Sequence, residues 1–181
     1  MGKLEFSKIN KEKISLKEKE AINRLLQLSE YDFSEFLQAD VNENGIYEYS
    51  YFEEYFIDDK RNIFIVKVDG KYAGFAFVNN ISYVLKEANV NCIAEFFILK
   101  KYRRGGIGKQ FAFHIFDSLN GTWELFQHEK NQIAIKFWES IISEYTNGNY
   151  QVIKTTNHDK FEGQVIIFKD RSGNLSLNQE G

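Results

Sequence analysis

A chain of 181 residues is long enough to bury a full core as one domain, and 43% hydrophobic residues is ordinary for a globular fold. Its net charge of −3 excludes a strongly cationic nucleic-acid binder. No apolar stretch approaches the roughly 18 residues of a membrane span, and the N-terminus does not read as a signal peptide. The 17 Phe and 10 Tyr point to a bulky core or a ligand groove. The single Cys92 cannot close an internal disulfide, which fits a reducing cytoplasm. His114, His128 and His158 are scattered and no CxxC occurs, so a metal site has no support.

In chain order, Leu4 to Ile9 reads as a short strand. From Ser15, the apolar positions Leu16, Ala21, Ile22, Leu25 and Leu26 suit an amphipathic helix, with Ser15 and Glu18 forming a capping box. A second helix is expected over Phe33 to Gln38, broken by Asn42-Glu43-Asn44-Gly45. Ile46 to Ile57 fits both strand and helix, with helix favoured for its second half. Asn62 to Val68 and Lys71 to Val78 are β-rich runs joined by Asp69-Gly70, a hairpin signal. Asn91 to Leu99 is a third such run.

Ile107, Phe111, Ile115 and Leu119 recur every four residues as a helical stripe ended by Gly121. Thr122 to His128 reads as a strand. Ile133, Ala134, Phe137, Trp138, Ile141 and Ile142 form another helical stripe, capped by Asn131. Tyr150 to Lys154 and Gln164 to Phe168 complete the pattern as paired strands. A single domain over 1–170 is expected, followed by a polar tail at 171–181. The order implies an α/β (α+β) fold, in which strand–helix–strand units normally make parallel pairs.

The chemistry concentrates between strand and helix, at Lys100-Lys101-Tyr102-Arg103-Arg104-Gly105-Gly106-Ile107-Gly108-Lys109. A glycine-rich, cationic turn entering a helix is an anion cradle, because the first helical N–H groups lack intrahelical partners and the helix dipole favours negative charge. A solvated basic turn is the plainer alternative. A Walker A loop fails, since Gln110 follows Lys109 where Ser or Thr should bind magnesium. A dinucleotide fingerprint fails too, because Phe111 replaces the third glycine.

Arg103-Arg104-Gly105-Gly106-Ile107-Gly108 is instead an Arg-x-x-Gly-x-Gly motif that resembles the acyl-CoA pyrophosphate loop of the GNAT (GCN5-related) N-acetyltransferases. A second block, Asn131-Gln132-Ile133-Ala134-Ile135-Lys136-Phe137-Trp138, is similar to the Asn-x-x-Ala-x-x-Phe-Tyr helix of that family. Together the resemblance covers roughly residues 60 to 170. It implies a mixed, mostly antiparallel sheet with a central splayed parallel pair, flanked by helices, and acetyl-CoA as co-substrate. Carried over, the backbone from Arg104 to Lys109 (Gly105, Gly106, Ile107 and Gly108 included) would hold the pyrophosphate, with Arg103 closing the loop. Phe97, Ile98 and Leu99 would pair with the pantetheine arm. Asn131 would reach the cofactor from the far side, a role compatible with an N-cap, and Phe137 and Trp138 belong to the same helix.

A protonated amine must lose its proton before attacking the thioester, and a lysine-like amine with pKa about 10.4 needs help that an α-amine near 8 does not. Glu95 is the only acid inside an apolar strand run, so burial would raise its pKa and make it a base, unless it faces solvent. The family often protonates the thiolate from a tyrosine, but the matching position here is Trp138. Tyr145 is the nearest substitute, with packing as its plain role and water as the other donor. The aromatic, acidic stretch Tyr47 to Phe56 is either an acceptor wall or a core face, and Trp123 and Glu124 share that ambiguity.

The leading expectation is an acetyl-CoA-dependent N-acetyltransferase acting on a small-molecule or peptide amine, with no nucleic acid or membrane as partner and a homodimer left open. The alternative is a non-catalytic acyl-CoA sensor. A nucleotide-binding protein would need magnesium ligands that the loop does not offer, and a protein-binding fold would leave the cationic loop unexplained.

Overall fold

The computed structural model describes residues 2–86, 89–158 and 161–173, so 174–181, most of the expected tail, lies outside the described residues. Seven strands occur in ladder order β1-β2-β3-β4-β5-β7-β6. They are β1 Leu4–Lys8, β2 Asn62–Val68, β3 Lys71–Asn79, β4 Val90–Ile98, β5 Thr122–His128, β6 Tyr150–His158 and β7 Phe161–Lys169. The helices are α1 Leu16–Leu37, α2 Glu54–Ile57, α3 Ile107–Ser118 and α4 Gln132–Thr146. Pairing is mostly antiparallel, with β4 and β5 parallel. This is the mixed α/β architecture that the sequence implied.

The chain divides into two compact units, Met1–Asn79 with Glu95–Gly105, and Asn80–Ala94 with Gly106–Gly181. In the first, β1, β2 and β3 form an antiparallel meander. Asp69 and Gly70 have φ of 50° and 72°, the two left-handed residues of a type I′ hairpin turn. Register shifts after the Val66–Gly74 pair, so that Lys67 faces Tyr72 and Ala73 is the extra residue of a bulge. Ile22, Leu25, Leu26 and Ser29 line the buried side of α1, which lies against β3. Phe64, Phe75, Phe77 and Tyr55 are fully buried beside it, each contributing about 1.5–3 kcal/mol of hydrophobic stabilisation.

Two expectations in this unit are corrected. The helix expected at Phe33 to Gln38 is the end of α1, which starts at the Ser15–Glu18 capping box and runs unbroken to a left-handed cap at Gln38. Nothing between Gln27 and Asp32 breaks a helix, and small Ser29 continues the buried stripe beyond Leu26. In Ile46 to Ile57 only Glu54–Ile57 is helical. Its first half is neither strand nor helix, because Gln27 satisfies the Tyr47 backbone in both directions: Oε1 accepts from the Tyr47 N–H at 2.8 Å, and Nε2 donates to the Tyr47 carbonyl at 3.0 Å.

In the second unit α4 packs over β5, β6, β7 and α3. Asn131 caps α4 by accepting the Ala134 N–H at 3.0 Å, as the sequence indicated. Phe111, Phe116, Trp123 and Phe168 form the core, with Trp123 and Phe168 stacked and Phe116 edge-on to both. β6 and β7 extend beyond their expected limits of Lys154 and Gln164, through Thr155–Gly163 pairing and, after a register irregularity, His158–Phe161 pairing.

Candidate active site

The glycine loop begins where β4 ends. Leu99 donates its N–H to the Ala73 carbonyl at 2.8 Å, a bond directed at the β3 bulge. Gly74 lies so close that a Cβ there would meet the Phe97 carbonyl oxygen at 2.2 Å, which requires glycine. Backbone groups alternate in direction along a strand, so the Ile98 N–H and carbonyl face the opposite edge. The parallel ladder of β4 with β5 consists of Val90–Thr122, Asn91–Trp123 and Cys92–Glu124, and both strands continue past it.

A 3-10 turn at Lys100–Tyr102 leads to Arg104 and Gly106, whose φ values are 66° and 76°. Gly106 is the N-cap of α3 and no side chain caps this helix, nor does its first turn hold an acid. Gln110 makes the first helical bond, to the Gly106 carbonyl at 3.2 Å. A Cβ placed on Gly105 or Gly106 would meet nothing within 4 Å. An uncapped helix start beneath open space, beside exposed Arg104, fits an anionic diphosphate.

Three of the loop's cations are tied to the protein. Arg103 Nε donates to the Ile98 carbonyl at 2.6 Å, and its Nη2 reaches Asp32 Oδ2 at 2.5 Å. Lys100 contacts the other Asp32 oxygen at 3.2 Å. Partial burial raises the Asp32 pKa, but hydrogen bonds and charge from Arg103 and Lys100 outweigh it and hold the carboxyl below its usual value. Lys109 Nζ pairs with both oxygens of Glu144, at 2.9 and 3.1 Å. Exposed Arg104 and the backbone amides of the helix start are therefore the donors best placed to meet a phosphate.

Glu95 lies on β4 three residues before Ile98. Burial, reinforced by the nearby Glu30 carboxylate on α1, pushes its pKa up to about 8, while a hydrogen bond from Tyr49 works the other way. The Tyr55 hydroxyl accepts from Asn79 Nδ2 at 3.4 Å. Phe77 holds both phenol rings, stacked on Tyr55 with centroids 4.3 Å apart and edge-on to Tyr49 at 6.0 Å. The aromatic stretch is thus divided: Tyr55 belongs to the core, and Tyr49 lies near enough to the candidate base to bear on its ionisation.

Glu30 and Asp32 carried no role in the sequence reading, and Tyr49 entered it only as part of the Tyr47 to Phe56 stretch. A signal for Glu30 existed: it is one helical turn beyond buried Leu26, an acid on the apolar stripe of α1. Ending that helix early concealed it.

The remaining candidates lie in the second unit. The Tyr145 hydroxyl donates to Asp117 Oδ1 at 2.8 Å, and its ring is 3% exposed between Phe113, Phe116 and Phe168, with Arg171 4.4 Å from its centroid. Burial and the Asp117 carboxylate raise its pKa. Trp138 is buried edge-on to Phe137 and near Phe116. Trp123 and Glu124 are fully buried. Glu124 accepts hydrogen bonds from the Ser82 hydroxyl and from the backbone of Tyr83, Val84 and Leu85 at 2.6–3.2 Å, so this carboxylate pins the loop after β3. Among the described residues no group of three potential metal ligands occurs, and no helix is long and apolar enough to cross a membrane.

Comparison with known proteins agrees with this geometry. The model of the acetyltransferase (GNAT) family matches residues 23–142. A probable acetyltransferase from Staphylococcus epidermidis ATCC 12228 shares the fold with TM-score 0.60 and 13% identity, over 92% of this chain and 99% of that one. Spermidine N-acetyltransferase from Vibrio cholerae, crystallised with CoA and spermine, matches at TM-score 0.59 and 12% identity over 92% and 95% of the two chains. PaiA N-acetyltransferase from Thermoplasma acidophilum, in complex with coenzyme A, matches at TM-score 0.55 and 14% identity over 92% and 99%. No curated protein matches the sequence. With the family model spanning well over half its length, and a loop that fits the diphosphate of acetyl-CoA, the chain belongs to the GNAT family of acetyltransferases.

Proposed function

We propose that the protein transfers the acetyl group of acetyl-CoA to a cationic primary amine by direct attack, with Glu95 as general base. The observation that carries this reading is the Glu95 carboxyl, raised to about 8 by burial and Glu30, on the strand that runs into the uncapped loop. A base poised near the working pH is what amine deprotonation requires. A second carboxylate, Glu30, favours a positively charged acceptor. The shared fold with a spermidine acetyltransferase is consistent with that class.

In this reading the amides of Gly106, Ile107, Gly108 and Lys109, with the Arg104 side chain, hold the diphosphate. Arg103 braces the loop from beneath by its bonds to Ile98 and Asp32. The outward-facing backbone of Phe96 and the Ile98 N–H, more than the backbone of Phe97 or Leu99, supply the edge for the pantetheine amides, while the Ile98 carbonyl is held by Arg103. Asn131 remains an N-cap whose amide nitrogen is the group available to the cofactor, and Phe137 and Trp138 support that helix start.

Glu95 takes a proton from the ammonium, the freed amine attacks the thioester carbon, and the carbon–sulfur bond breaks to release CoA thiolate. The amide nitrogen loses its second proton, and the thiolate gains one. Tyr145 is held by Asp117 and its pKa is raised, which makes water the better donor to a thiolate whose conjugate thiol has pKa about 8.5. The test is thermal stabilisation by acetyl-CoA followed by thiol release across an amine panel. Stabilisation with turnover of cationic amines supports the reading; stabilisation without turnover of any amine supports an acyl-CoA sensor instead.

A further inference from the structure

Arg104 is the one non-glycine residue of the cationic loop in the left-handed region, with φ of 66°. A Cβ makes that conformation unfavourable, and arginine lacks the short polar side chain with which Asn or Asp compensates locally. The next left-handed position, Gly106, does carry a glycine. Arg103, just before Arg104, is fixed on several sides. Its N–H donates to the Lys100 carbonyl at 3.2 Å, its Nε to the Ile98 carbonyl at 2.6 Å and its Nη2 to Asp32 Oδ2 at 2.5 Å. The guanidinium also lies over the Phe97 ring, 5.4 Å from its centroid. Asp32 spans the turn, because its other oxygen meets Lys100 Nζ at 3.2 Å. One carboxylate on α1 thus ties down both ends of the turn that delivers the chain to Arg104.

We propose that Asp32 is a positioning residue for the cofactor loop: by holding Arg103 and Lys100 it keeps Arg104 in its left-handed turn, so the loop is already shaped when the diphosphate arrives. The inference rests on the reading that this loop holds the diphosphate of acetyl-CoA, and is independent of the base and the acceptor. A loop that is competent for only part of the time binds its ligand more weakly in that proportion. Without Asp32, Arg103 keeps the Ile98 carbonyl and the Phe97 face, but the tie to α1 is gone and Arg104 relaxes toward an ordinary φ. Charge acts in the opposite direction, since deleting a carboxylate and releasing two cations beside an anion site favours the anion. The two effects differ in sign, so the change in affinity tells them apart.

The test is isothermal titration of the whole protein with acetyl-CoA in the absence of any acceptor. Asp32→Ala should weaken binding about fivefold in the otherwise unchanged protein. It should do the same in an Arg104→Ala background, where the left-handed strain remains. In an Arg104→Gly background, where glycine accepts that φ freely, the loss should be less than about twofold. Both backgrounds lack the Arg104 guanidinium, so its own contact with phosphate cancels from the comparison. Tighter binding in Asp32→Ala would make the carboxylate a competitor of the diphosphate and overturns the proposal. An equal loss in the alanine and glycine backgrounds overturns it as well. Should Asp32→Ala lose its cooperative thermal transition, Asp32→Asn decides by the same criterion. A wild-type protein that binds no acetyl-CoA would instead sink the diphosphate reading, and the proposal with it.

Discussion

Asp32, near the end of α1, accepts a hydrogen bond from Arg103 at 2.5 Å, although the two are 71 residues apart in sequence. The same carboxylate meets Lys100, so one acid on a helix clamps two cations of the glycine loop. Its pKa is depressed in the fold, so its contribution is present above the unfolded value of about 3.9 and is lost as pH falls through the lower folded value. Asp32→Asn should lower stability at pH 7 by about 1 kcal/mol, a modest loss because both cations are partly exposed. Thermal melts of variant and wild type should converge as pH falls through and below the folded-state value.

Gly106 tests the anion cradle. Gly106→Asp places a carboxylate at an uncapped helix start, where it would bond the same N–H groups that a phosphate needs. The apo protein should still fold, since Asp tolerates a φ near 76° and open space surrounds the site. Its thermal stabilisation by acetyl-CoA should disappear. Gly106→Asn, which meets the backbone demand and competes for the same N–H groups without the charge, should lose less of that shift than Gly106→Asp.

Tyr145 separates a proton donor from a packing residue. Its hydroxyl is bonded to Asp117 and its ring is closed in by Phe113, Phe116 and Phe168. Tyr145→Phe should cost about 1 kcal/mol of stability by removing that bond, and should leave kcat within about twofold if water protonates the thiolate. A loss of a hundredfold or more in kcat, at unchanged KM, would assign the donor role to Tyr145.

Glu95 also predicts a conflict between stability and function. Its folded pKa of about 8 lies above the unfolded value of about 4.3, so the folded state holds a proton that the unfolded chain releases between those limits. Stability from this group is full below the lower value and declines as pH rises through the window. Glu95→Gln should therefore melt higher than wild type at pH 8, with the difference vanishing near pH 4.

The parts of this account that were legible in sequence depend on local chemistry. Asp69-Gly70 announces its hairpin because both residues accept positive φ, and Asn131 announces α4 because its side chain reaches an N–H three residues on. The cationic glycine loop is legible for the same reason. What sequence hid depends on distant partners. Gln27 takes over the Tyr47 backbone, which removes a strand that alternation had suggested. Asp32 turns Arg103 into a brace, and Tyr49 comes near Glu95 from a segment whose aromatics are indistinguishable from core until the fold divides them.

The central claim is that Glu95 is the base for acetyl transfer from CoA to an amine. The most direct measurement is kcat/KM for thiol release from acetyl-CoA between pH 6 and 10, with wild type and Glu95→Gln compared on the same cationic primary amine. The account predicts an acidic limb near pH 8 in wild type, and in Glu95→Gln a rate lowered by about a hundredfold or more with that limb gone. A Glu95→Gln profile that superimposes on wild type would contradict it.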